Sequence, residues 1–81
     1  MEKRIGTVTI LVVDRSKSAE INTILSDFAD LILCRQGLPF RDRPVAVISL
    51  IVEGVPDRIN ALTGRLGRLA GVESKAVLVK S

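Results

Sequence analysis

The 81 residues leave room for one domain with one core, and a single cysteine with no histidine excludes an intrachain disulfide and a Cys/His zinc site. A formal net charge of +3 permits an anionic ligand but falls far short of the dense basic patch of a dedicated nucleic-acid binder, so direct nucleic-acid binding is not expected. No apolar run reaches the ~18 residues of a membrane span and the N-terminus lacks a signal-peptide pattern, so the expectation is a soluble, cytoplasmic protein with no membrane partner.

From Arg4 to Val13 the chain is β-branched and nearly continuously apolar, which predicts a strand. Asp14-Arg15-Ser16 breaks it, and Ser16 is placed to cap a helix running to about Ala29. Within that helix Ile21, Ile24, Leu25 and Phe28 follow the i, i+3, i+4, i+7 spacing of one buried stripe. A second strand is expected over Leu31–Gln36. The segment from Gly37 to Pro44 then has turn chemistry at both ends. A third strand, Val45 to Glu53, stops at Gly54. The second helix starts at Pro56, a good first-turn residue, and runs to Ala70, with Gly71 as its C-terminal stop. Val55, Ile59, Leu62, Leu66 and Leu69 form its apolar stripe. A last strand covers Glu73 to Lys80.

The order βαββαβ over residues 1–81 predicts a single α+β domain of ferredoxin-like fold. It calls for a four-stranded antiparallel sheet with two helices on one face. Strands one and three, the most apolar, belong in the middle of such a sheet. Both are apolar on alternate residues of either face, as in Val8, Ile10 and Val12 against Leu11 and Val13. Strands of that kind are normally covered on both sides. A chain this short is also marginal by itself, burying only about 60–65% of its unfolded surface. The two arguments agree on a homo-oligomer, dimer or tetramer, joined through the open face of the sheet, with a protein partner as the alternative cover.

Catalytic chemistry finds little support. Cys34 has no histidine to activate it and reads as a buried, inert strand residue. The carboxylates lie mostly at element ends and form no acid/base pair at useful spacing. Arg35, Arg41 and Arg43 bracket the turn between strands two and three, where they could hold a carboxylate or phosphate or simply keep a hairpin tip soluble. Arg58, Arg65 and Arg68 flank the apolar stripe of the second helix, their stems covering its edge. Gly64 and Gly67 on that helix cost about 0.8–1 kcal/mol each relative to alanine with no evident return, unless another chain or a ligand comes close. An RNA-recognition module of the same fold stacks bases on sheet aromatics, and neither central strand has one. A heavy-metal carrier would need Cys-x-x-Cys after strand one, where Asp14-Arg15-Ser16-Lys17 stands.

Two stretches carry a family likeness. Gly37-Leu38-Pro39-Phe40-Arg41-Asp42 is similar to a Gly-x-Pro-aromatic-Arg-acidic turn. The run from Leu62 to Lys75 is similar to the longer signature L-[ST]-G-K-L-G-x-x-x-G-V-x-x-K. With Val13-Asp14-Arg15 after the first strand, the chain resembles the iron-only hydrogenase system regulator family over essentially its whole length. Arg65 stands where that signature has lysine, and Cys34 where a small residue is usual.

The resemblance implies an ACT-like domain related in fold to the C-terminal domain of the nickel-responsive repressor. That repressor's histidine ligands have no counterpart here, so nickel sensing does not carry over. Met1-Glu2-Lys3 leaves no space for its upstream DNA-binding segment, so any role in transcriptional regulation is expected to run through a partner or another surface. The resemblance thus implies an oligomeric regulatory module that is not an enzyme and uses no cofactor or metal. Such a module is expected to sense a small anionic or amino-acid-like ligand near the loop after strand one and a neighbouring chain. The candidate ligand-binding residues are Asp14, Arg15 and Ser16, with Arg35 and Gly37. The alternative is a scaffold that binds a protein partner and no small molecule.

Overall fold

The computed structural model describes residues 2–79. Its elements are β1 (Arg4–Val12), α1 (Ser18–Asp27), β2 (Ile32–Pro39), β3 (Ala46–Gly54), α2 (Pro56–Gly67) and β4 (Val72–Leu78), in the expected order. The strands form one antiparallel sheet in the order β2-β3-β1-β4, with the two most apolar strands central. The protein is therefore an α+β domain of ferredoxin-like fold. The last strand's expected end, Lys80, lies outside the described residues.

Strict alternation decides which side of β1 and β3 is covered. Val8, Ile10, Val12, Leu50 and Val52 turn under the helices and are no more than 2% exposed. They meet Ile21, Ile24 and Leu25 from α1 and Ile59, Leu62 and Leu66 from α2. Full burial of each such side chain stabilises the fold by about 1.5–3 kcal/mol.

Most element boundaries differ from expectation by a residue or more, and in three elements the shift has a clear local reason. The first helix begins at Ser18 and not after Ser16, because the Asp14 side chain caps a short 3-10 turn over Arg15–Lys17. The second strand starts at Ile32, shifts register between Ile32 and Cys34, and continues through Pro39. A bulge and a proline are both tolerated there because β2 is an edge strand. The second helix ends at Gly67, three residues early; Gly71, at φ +77°, then turns the chain into β4.

The open face of the sheet is apolar toward its ends but polar across its middle. Gln36, Ser49, Thr9 and Lys75 stand in register across all four strands. On one side of this row lie Leu38, Val47, Leu11 and Glu73, and on the other Cys34, Ile51, Thr7 and Val77. Leu38, Leu11, Ile51 and Val77 are large apolar side chains left exposed, Val77 most of all at 71%. The expectation of a buried Cys34 is corrected: the thiol is exposed, because β2 has no outer neighbour and Cys34 pairs with Ile51 on the uncovered face.

Candidate functional site

Three connections meet beyond the end of β1: the turn leading to α1, the β2–β3 hairpin tip, and the loop entering β4. Asp14 organises the first. Its Oδ1 accepts hydrogen bonds from the Ser16 backbone N–H at 3.0 Å and from the Ser16 hydroxyl at 2.6 Å. The hydroxyl bond first and the backbone bond second hold the Asp14 carboxyl below its ordinary value, with a small contribution from Lys17. Ser16 therefore does not offer a free N–H to an arriving anion; the adjacent carboxylate already occupies it. Behind Asp14 sits Gly71, whose carbonyl accepts from the Val13 N–H at 2.8 Å. A Cβ on Gly71 would lie 2.6 Å from that of Asp14.

Arg15 ties the turn to the hairpin tip. One guanidinium nitrogen donates to the carbonyl oxygens of Phe40, of Arg43 at 3.2 Å and of Val45 at 3.0 Å. The tip closes by a further bond from the Phe40 N–H to the Val45 carbonyl, 2.9 Å. Arg43 itself lies over the Phe40 ring, 5.6 Å from its centroid, and pairs with neighbouring Asp42 at 3.5 Å. An ion pair this exposed contributes little stability.

Arg35 and Gly37 lie on the helix-facing side of β2, opposite Leu50 and Ile48. Arg35 donates to Asn22 Oδ1 on α1 at 2.8 Å. The candidate residues thus form two groups with separate attachments, Asp14, Arg15 and Ser16 to the hairpin tip and Arg35 to α1. No side-chain hydrogen bond or ion pair joins the groups among the described residues. Nor is there a cluster of three or more His, Cys, Asp or Glu side chains placed to hold a metal ion among them.

One arrangement lies beyond the sequence reading. Arg58 and Arg65 of α2 both lie over the ring of Phe28 at the end of α1, 5.2 and 5.6 Å from its centroid. Arg58 forms two bonds to Asp30, at 2.9 and 3.2 Å, and Arg65 pairs with Asp27 at 3.0 Å. The flanking arginines thus latch the two helices together over an aromatic ring. Asp27 and Asp30 on either side of Phe28, facing arginines seven residues apart, are the signal the sequence carries for it.

Fold, loop and exposed sheet together define a small ferredoxin-like domain whose charged side chains are mostly spent on its own loops and helices. The chain belongs to the TM1266-like family, described as "Iron-only hydrogenase system regulator, putative", whose model matches residues 4–76. It is similar to the uncharacterized protein TM1266 from Thermotoga maritima, with 41% identity and a TM-score of 0.91, over 98% of this chain and 100% of that one. CutA1 from Oryza sativa is similar in fold alone, at 19% identity and a TM-score of 0.55, covering 96% of this chain and 82% of its own. None of the curated proteins matches the chain. No helix among the described residues is long and apolar enough to cross a membrane.

Proposed function

We propose that the protein is a non-enzymatic, ACT-like regulatory module of the iron-only hydrogenase system type, acting in the cytoplasm as a homo-oligomer joined through the open face of its sheet. The observation that carries the oligomer is the pair of exposed apolar groups, Leu11 with Leu38 and Ile51 with Val77, on either side of the polar row on a face that no helix covers. Apolar patches of this kind mark contact surfaces. A charge placed within one of these groups, Ile51→Asp, should reduce the particle size measured by light scattering. An unchanged size would exclude this face.

Within that proposal the ligand is small and amino-acid-like or anionic, and Asp14, Arg15 and Ser16, with Arg35 and Gly37, recognise it. Asp14, kept ionised by Ser16, suits an ammonium group, and Arg15 suits a carboxylate. Arg15 would exchange its hold on the hairpin carbonyls for the ligand, so binding would be felt at the tip. The competing reading, a scaffold that binds a protein partner and no metabolite, is favoured by the same contacts, since Arg15 and the Ser16 N–H are already satisfied within the chain.

A thermal-shift screen against amino acids, nucleotides and other small anions separates the two. A ligand at a hundred times its dissociation constant adds about 2.7 kcal/mol, on the order of ten degrees for a domain this size. A hit that disappears in the Arg15→Ala, Arg35→Ala double variant supports the sensor. A flat screen supports the scaffold.

A further inference from the structure

The β4 edge of the sheet carries no neighbouring strand among the described residues. Val13 donates its N–H to the Gly71 carbonyl and Val79 donates to the Ile5 carbonyl, each at 2.8 Å, and both pairs continue the β1–β4 register. Antiparallel strands alternate the direction of their backbone groups. The odd-numbered residues of β4 therefore turn theirs toward β1, and the even-numbered ones, Ser74 and Ala76 among them, present theirs outward at the free edge. The side chains alternate too: Glu73, Lys75 and Val77 stand on the open face, Ser74 and Ala76 on the helix side.

We infer that a second copy of the chain adds antiparallel to β4 about a two-fold axis at Ser74, extending the sheet from one protomer into the next. Charge selects that register. With Ser74 opposite the partner's Ser74, Glu73 faces the partner's Lys75 and Lys75 faces the partner's Glu73, on the same face of the sheet. Moving the centre one residue either way sets Lys75 against the partner's Lys75, or Glu73 against the partner's Glu73. Opposed unlike charges stabilise an antiparallel pair and like charges destabilise it.

Three further observations fit the same axis. The Ser74 hydroxyl is buried and has no hydrogen-bond partner, and a second Ser74 across the junction supplies one by side-chain rotation. The outward Ser74 N–H and carbonyl would meet their counterparts reciprocally, and each Ala76 N–H would meet the partner's Val72 carbonyl. Beside the edge runs a groove lined by Gly67, Val72, Ser74 and Lys75. A Cβ on Gly67 would touch nothing within 4 Å, so the groove is open on the α2 side. The opposite edge offers no such match, since β2 is bulged near Leu33 and ends in Pro39.

Charge reversal tests the register in the full chain. Sedimentation equilibrium of the wild type, Glu73→Lys, Lys75→Glu and the double reversal should show each single variant weakening self-association about tenfold or more, with the double variant restoring it. Ser74→Pro, which removes an outward N–H and leaves the β1 ladder whole, should lower the assembly by one step, with circular dichroism confirming the fold. A monomeric wild type overturns the inference, as does an assembly that none of these variants alters. A loss seen with Ile51→Asp but not with the β4 variants assigns the contact to the sheet face and rejects the edge.

Discussion

Arg15 reaches from the turn after β1 to the carbonyl oxygen of Val45, 3.0 Å away, and so binds two connections thirty residues apart in the chain. The same nitrogen also serves the Phe40 and Arg43 carbonyls. Charged donors make the stronger hydrogen bonds, but Arg15 is exposed and water replaces part of what is lost. Arg15→Ala is therefore expected to cost only about 1 kcal/mol of global stability in urea unfolding. Its larger effect should be local, with faster hydrogen exchange at Phe40 and Val45 and little change along β4.

Gly71 and Gly64 should respond to alanine in opposite directions. At Gly71, φ is +77° and the new Cβ would stand 2.6 Å from that of Asp14, so Gly71→Ala should destabilise by about 2 kcal/mol or more. At Gly64 a Cβ meets nothing within 4 Å. There Gly64→Ala should stabilise the helix by up to about 1 kcal/mol. Paired thermal melts at one protein concentration would read both.

Acid should act partly through Asp14. Its carboxyl is depressed below 3.8 by Ser16, so the folded state binds a proton less readily than the unfolded one. The associated stability is present above that ordinary value and is lost as pH falls through the lower folded value. Ser16→Ala should move the Asp14 titration, followed by carboxyl carbon chemical shift, back toward 3.8 and flatten that part of the acid limb.

The helix latch and the core should differ sharply in cost. The Asp30 and Arg58 side chains are 61% and 44% exposed, so Asp30→Ala should cost less than about 1 kcal/mol, and added salt should erase much of it. Leu66 is fully buried, and Leu66→Ala should cost about 2–5 kcal/mol, enough to unfold much of a domain this small. Urea midpoints at low and high salt distinguish the two.

The sheet order and both helix stripes are legible in the sequence because alternation and the 3.6-residue period report burial directly. The caps are less so. Ser16 and Asp14 are both good N-cap residues, and only the structure shows Asp14 reaching forward to Ser16. The exposure of Cys34 escapes a sequence reading because the residue pattern does not show the bulge between Ile32 and Cys34, which moves the thiol onto the uncovered face. The destination of Arg15 is hidden for another reason: its acceptors are backbone carbonyls twenty-five to thirty residues away, and carbonyls leave no mark on a sequence.

The irregularity of β2 has a consequence for aggregation. A sheet with two equally good free edges can add chains at both ends without limit, as fibrils do. Here the bulge near Leu33 and the missing N–H of Pro39 spoil one end of the ladder, while β4 stays regular. A molecule with one extendable edge can join one neighbour along the sheet and then has no second edge to offer. On the inferred β4 pairing, edge-to-edge growth ends at the pair, and the defect in β2 acts as its terminator.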